Sequence, residues 1–293
     1  MNIKRSIALS VLFPRSRYEA SAFARALSFL AEWPLDSVEF YFEGTDRDAV
    51  AAALASSGLQ GIYIAVIPLK GQDLSLCSPD EEQRAAACAL THRCIDEAHE
   101  LGCCSVMINS GRHPEATLAD AAIEQFVRSV TELQEHAGRY GISLLLEPCD
   151  SQIDARNLLG PTGLSAAVAR RLRRTIPDFA LTLDTAHICE EGEDFLTEVS
   201  RATDCCDHLH FANCVVDDPS DPMYGDKHVG FDYPGSAFPP AELRRIFDGL
   251  QTIYRGRDCR IALEILCREP DPELYFKKMA DQIPWFFAAE QNT

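Results

Sequence analysis

Leu181-Thr182-Leu183-Asp184-Thr185-Ala186-His187 reads as a buried strand that ends in a carboxylate, with an imidazole three residues further on. Other apolar runs end in the same way. Leu144-Leu145-Leu146 runs into Glu147, Ile261-Ala262-Leu263 runs into Glu264, and His208-Leu209-His210 leads into Phe211-Ala212-Asn213. Strand ends thus deliver Glu147, Asp184, His210 and Glu264. Carboxylates gathered in a buried place must shed their charge or find a partner. Three of them with one imidazole form a ligand set for one divalent cation. The set suits Mn²⁺, Mg²⁺ or Co²⁺, and is compatible with Zn²⁺.

These runs belong to a longer alternation. The pattern predicts strands at residues 7–13, 37–42, 61–67, 103–109, 142–147, 179–184, 207–211 and 260–265. Helices are predicted at 18–33, 46–57, 81–101, 117–140, 163–175, 193–203, 240–250 and 270–287. Asp46 stands near one helix start, and Gly58, Gly102 and Gly141 stand at helix ends, where these residue types belong. Loops are expected at 68–79 and 212–239, the second rich in Asp, Pro and Gly. Residues 37–42 alternate, with Val38 and Phe40 on one side and Glu39 and Tyr41 on the other.

Near-continuous apolar strands separated by helices imply parallel pairing. Eight such units in 293 residues make an α/β chain of the (β/α)8 TIM barrel class, with residues 1–293 as a single domain. A doubly wound open sheet is the alternative. It needs fewer strands, and no glycine-rich nucleotide fingerprint follows the first strand. In a barrel the C-terminal strand ends form the mouth. The four tips follow strands five to eight, which are consecutive and can converge on one side of it.

Composition narrows the partners. The formal charge of −18 repels nucleic acid and anionic membranes but tolerates a bound cation. No apolar run reaches the length of about 18 residues that a membrane helix needs. Met1-Asn2-Ile3-Lys4-Arg5 leads into a short apolar stretch broken by Ser6, Ser10 and Pro14, which reads as a first strand and not as a signal peptide. The twelve cysteines include the adjacent pairs Cys103-Cys104 and Cys205-Cys206 and no CxxC motif. They read as free thiols of a cytoplasmic protein.

Further candidates surround the four tips. His208 faces the same way as His210 but lies deeper, and reads as a core histidine. His187 is placed to bind a substrate hydroxyl or a second metal. Asp226-Lys227-His228 lies in the long loop after the seventh strand and is expected to reach the same site.

The ordered set Leu-Glu-Pro at Glu147, Leu-Asp-Thr-x-His at Asp184 and His187, His-x-His at His210, Asp-x-His at Asp226 and His228, and Leu-Glu at Glu264 resembles the xylose isomerase-like TIM-barrel superfamily. It looks closest to the sugar phosphate isomerase/epimerase branch, which includes ketose 3-epimerases and relatives of inosose dehydratase. The resemblance implies one divalent metal, Mn²⁺ foremost, on Glu147, Asp184, His210 and Glu264. It implies that Glu147 and Glu264 also act as acid and base on opposite faces of the substrate carbon, through an enediolate. His187 matches the substrate-binding histidine, and homodimers or homotetramers are expected by analogy.

The sequence departs from the epimerases in two places. No arginine follows the strand-seven histidine, where the sequence reads Phe211-Ala212-Asn213-Cys214-Val215-Val216-Asp217, and Lys227 is the available cation. Of Ile153 and Asp154, only Asp154 can stand for their second acidic residue. The expected activity is a metal-dependent isomerase or epimerase of a sugar, sugar phosphate or keto-sugar. A lyase or dehydratase acting on a keto-sugar or keto-glycoside is the alternative. AP endonuclease IV is a distant third. His187, Asp226 and His228 match its third-site ligands, but the earlier tips Ile67-Pro68 and Asn109-Ser110 lack its further histidines.

Overall fold

Strand pairing closes on itself. The computed structural model describes residues 2–288, and in it β1 (Asn2–Ala8), β2 (Ser37–Phe40), β3 (Gln60–Ile64), β4 (Cys103–Ile108), β5 (Ser143–Leu146), β6 (Ala180–Asp184), β7 (Cys206–Phe211) and β8 (Asp258–Leu263) form one closed parallel barrel in chain order. Register ties the last strand to the first, with Ser6 opposite Ala262 and Ile7 opposite Leu263. The fold is therefore the (β/α)8 TIM barrel.

Period-two alternation divides each strand between two environments. Val38, Phe40, Leu144, Leu146, Leu181, Leu183, Leu209, Phe211, Ile261 and Leu263 pack outward in the core shared with the helices. Ile62, Ile64, Met107, Leu145 and Ala180 form a separate cluster. This cluster is one half of the barrel interior. The other half is polar, built from Glu39, Thr182, Asp184, His208 and His210, all buried.

The barrel corrects several sequence boundaries. The first strand is Asn2–Ala8, not 7–13, and the apolar run continues as the short helix Leu9–Leu12. Arg5 lies within that strand because its guanidinium reaches the carbonyls of Phe286 at 2.5 Å and Ala288 at 2.9 Å. Part of the expected loop 68–79 belongs to a helix, Val66–Gly71. A further helix, Thr185–Glu190, follows β6 directly and had no counterpart in the sequence pattern. Asp46 caps its helix by accepting the Ala49 N–H, and Gly58 ends it with φ of 71°. Glu39, on the opposite side of β2 from Val38 and Phe40, does not face solvent, while Tyr41 lies one residue past the strand and is half-buried. In a barrel the second strand face is the interior, and Glu39 is fully buried there.

No helix among the described residues is long and apolar enough to cross a membrane. All twelve cysteines are free, and ten of them are buried. Burial pushes the Cys94 thiol up to about 12. The native protein should therefore react slowly with a thiol reagent, mainly at the partly exposed Cys104 and Cys189, and the denatured protein should titrate at all twelve without reductant. A shortfall of two thiols after denaturation would reveal a disulfide.

Candidate metal centre and active site

The strand ends bring four predicted ligands together. Glu147 stands one residue past β5, Asp184 is the last residue of β6, His210 lies near the end of β7, and Glu264 stands one residue past β8. One ligand atom from each lies within 4.8 Å of all the others. His210 Nδ1 is at the centre, 2.7 Å from Glu264 Oε2, 3.1 Å from Glu147 Oε1 and 3.8 Å from Asp184 Oδ2.

None of these approaches gives His210 Nδ1 a hydrogen bond of acceptable geometry. The other ring nitrogen explains this. His210 Nε2 lies 2.9 Å from Glu39 Oε2, and His208 Nε2 lies 2.8 Å from Glu39 Oε1. Burial opposes the charge on Glu39, but the two imidazoles outweigh it and hold its pKa well below the usual carboxylate range. An ionised carboxylate only accepts, so both imidazoles donate through Nε2. Burial opposes a charge on His210, but Glu39, Glu264 and Glu147 outweigh it and raise its pKa well above the usual imidazole range; a cation at Nδ1 would take the place of that proton, with Nε2 still donating to Glu39.

Asp184 is divided in the same way. Its Oδ1 accepts the N–H groups of Ala186 at 2.6 Å and His187 at 3.1 Å, capping the helix Thr185–Glu190. Its Oδ2 is buried without a partner, as is Glu264 Oε2. Burial raises the Asp184 pKa. Buried acceptors that converge without donors are costly unless a cation answers them. The residues therefore fit a divalent metal, with Glu147, Asp184, His210 and Glu264 as its candidate ligands.

A second cluster adjoins the first. Asp184, His187 and His228 also offer ligand atoms within 4.8 Å of one another. Asp226 joins the two histidines, with its Oδ1 2.8 Å from His228 Nε2 and 3.6 Å from His187 Nε2. His228 takes φ of 44°, a left-handed conformation uncommon outside glycine, asparagine and aspartate. The loop holds it there. Its carbonyl accepts the Leu266 N–H at 2.9 Å, and Asn213 beneath it donates to the Gly230 carbonyl at 3.1 Å and accepts the Phe238 N–H at 2.8 Å.

The long irregular segment thus has an internal frame, and Asp226, Lys227 and His228 all reach the mouth. A cavity of about 240 Å³ opens over the centre. Glu147, His187, Asp226, His228 and Glu264 line it together with the apolar Ile64, Val66, Ile67 and Leu266. Lys227 lines it too, but its ammonium pairs with Asp154 Oδ2 at 2.9 Å. The two residues that could replace the epimerase contacts are therefore paired with each other.

Sequence reasoning missed three contributors. Alternation sets Glu39 on the side of its strand away from Val38 and Phe40, and only barrel closure brings it to His208 and His210. The signal was an acid in the middle of an apolar parallel strand. Asp150 holds the loop after β5 by accepting the N–H groups of Gln152, Ile153, Asp154 and Ala155. Glu190 is buried with neither oxygen hydrogen-bonded, and burial pushes its pKa up to about 8 despite the nearby His187.

The comparisons with known proteins agree with this architecture. No curated protein matches the sequence. Among solved structures, IOLI protein with a zinc atom bound superposes with a TM-score of 0.72 at 15% identity, covering 98% of this chain and 100% of that one. L-ribulose 3-epimerase gives 0.69 at 20% identity over 98% and 93% of the two chains. The 3-keto-D-glucoside 4-epimerase of E. coli gives 0.66 at 16% identity over 97% and 99%. At these identities the likeness is one of fold. The sequence model described as xylose isomerase-like TIM barrel matches residues 27–281, and the chain belongs to that family.

Proposed function

We propose that the protein is a divalent-metal-dependent sugar isomerase or epimerase that moves a proton beside a carbonyl through an enediolate. One observation carries the reading. Buried, unpartnered atoms of Asp184, His210 and Glu264 converge with Glu147, and Glu147 and Glu264 line a cavity of about 240 Å³. The epimerase activities of similar folds support it. Mn²⁺ is our preferred ion, and the zinc of a structural relative keeps Zn²⁺ in the comparison.

When bound, the cation would polarise a substrate carbonyl and a neighbouring hydroxyl, which lowers the cost of removing the proton between them. The chain does the rest. Glu147 and Glu264 come from strands on different sides of the centre, so one carboxylate can remove a proton while the other returns one to the opposite face. His187 binds a substrate hydroxyl, with Asp226 Oδ1 3.6 Å from its Nε2. His228 and Lys227 border the same space. Glu39 fixes the His210 tautomer from below. A lyase would share the first proton abstraction and then expel a group from the next carbon. DNA repair is not favoured, because the β4 tip offers Asn109 rather than a zinc ligand and the net charge is −18.

Three outcomes test this reading. Protein purified without chelator should hold about one divalent ion per chain by elemental analysis, and Asp184→Ala should lose most of it. Full occupancy in that variant would remove Asp184 from the ligand set.

Glu147→Gln and Glu264→Gln should each lose about 10² to 10⁴ in turnover of a keto-sugar while retaining metal. In D₂O the wild type should give deuterated epimer or isomer. Recovery of both variants by excess Mn²⁺ would leave these residues as ligands only, and release of water or an aglycone would favour the lyase.

Glu39→Gln keeps the side chain's size but cannot accept from both imidazoles. It should weaken metal affinity about 10- to 100-fold in a chelator competition, with the fold intact by circular dichroism. Unchanged affinity would reduce Glu39 to a packing role.

A further inference from the structure

We propose that Arg268 selects the substrate by charge, receiving a carboxylate at the end of the molecule away from the metal centre, so that the preferred substrate is a keto-sugar acid and not a neutral ketose. This rests on the sugar isomerase or epimerase reading above and names the substrate class within it.

Three long cationic side chains line the cavity over the centre, those of Lys70, Lys227 and Arg268. Two of them are committed. Lys70 Nζ lies 3.1 Å from Asp226 Oδ2, and Lys227 Nζ lies 2.9 Å from Asp154 Oδ2. Arg268 has no ion pair among the described residues. Glu269, its neighbour in sequence, pairs instead with Lys278 at 3.2 Å. The guanidinium makes one hydrogen bond, from Nη2 to the Lys227 carbonyl at 2.9 Å. A guanidinium carries five N–H donors in a rigid fork, so most of them remain open. The residue is exposed, so its charge costs no desolvation and can meet a dissolved anion.

The backbone sets where this charge stands. Arg268 follows Glu264 by four residues, and the chain between them is tied down. The Glu264 N–H donates to the Phe211 carbonyl at 3.1 Å, the Leu266 N–H to the His228 carbonyl at 2.9 Å, and the Cys267 N–H to the Val11 carbonyl at 3.0 Å. The loop after β8 is thus bound to the loop after β7 and to the helix Leu9–Leu12 before it reaches Arg268. Four residues of chain span at most about 14 Å. Glu264 and Arg268 line the same cavity of about 240 Å³. A substrate whose carbonyl lies beside Glu264 can therefore present its far end to Arg268.

The open donors fit a carboxylate. Its two oxygens match two parallel N–H groups of the fork, and such charge-assisted pairs are about twice as strong as neutral hydrogen bonds. It also brings one negative charge to one unbalanced positive charge. A phosphate monoester brings about −1.5 to −2 at pH 7. It would meet Asp226 and Asp154 at the same mouth, and those acids already occupy the two lysines. The hydroxyl end of a neutral ketose leaves the charge of Arg268 unused.

The experiment is isothermal titration of the metal-loaded protein with three matched ligands. They are a ketohexose, its 6-phosphate ester, and the ketohexuronate whose C6 is a carboxylate, each in both configurations at C3. The wild type should bind the ketohexuronate at least about tenfold more tightly than either of the others. Arg268→Gln should weaken the ketohexuronate about 10- to 100-fold, the size of one lost charged hydrogen-bonding group, and so erase the preference. Arg268→Lys keeps the charge but not the fork, and should retain only part of it. Metal content and melting temperature check that each variant is folded. Tightest binding of the ester or of the ketohexose, a preference that survives Arg268→Gln, or an equal loss for all three ligands would overturn the role of Arg268 while leaving the sugar reading intact. Failure of the wild type to bind any of the three would overturn the sugar reading and this proposal with it.

Discussion

A buried carboxylate has to be answered by positive charge or by donors, and the polar half of this barrel is arranged around that requirement. Glu39 is answered by two imidazoles at 2.8 and 2.9 Å. Half of Asp184 is answered by two backbone N–H groups of the helix it caps. What is left over, Asp184 Oδ2, Glu264 Oε2 and the free nitrogen of His210, lies in one place. The candidate metal centre is thus where unpartnered atoms of three ligand residues from neighbouring strand ends converge. Its donors are held by groups that a ligand count alone does not include.

The same economy shapes the mouth. Asp226 serves His187, His228 and Lys70, and Asp154 serves Lys227 and the Asp226 backbone. These contacts join the loop after β7 to the loop after β5 and to the helix Val66–Gly71. Charges that look like free substrate contacts in the sequence are therefore partly neutralised. The apolar Ile64, Val66, Ile67 and Leu266 line the same cavity. Sugars present both polar and apolar surface, so a mixed lining suits such a ligand.

Much of this was legible in the chain. Strand-and-helix alternation is a local signal, because a parallel strand covered on both faces must be apolar throughout and a helix must carry a stripe. The strand tips were legible too, since a charged residue that ends an apolar run marks where the strand leaves the core. Boundaries were less so. The first strand lay earlier than its apolar run suggested, because Arg5 is accommodated by carbonyls of Phe286 and Ala288, at the far end of the chain. The helix Thr185–Glu190 was hidden because six residues are too few to show a period.

The sequence by itself determined the order of the eight strands and the main helices between them, the barrel class and the four candidate ligands at the strand ends. Each depends on neighbours along the chain or on a count of strands. Only the tertiary structure decided which polar residues face one another. Glu39 and His210 are far apart in sequence, and no local pattern links them. Closing β8 onto β1 turns the apparent outer face of β2 into the inside of a barrel, and the acid on it becomes the support of a histidine three strands away around the circle. The pairing of Lys227 with Asp154 has the same origin. Loops after different strands meet only because the strands that carry them are held in a ring.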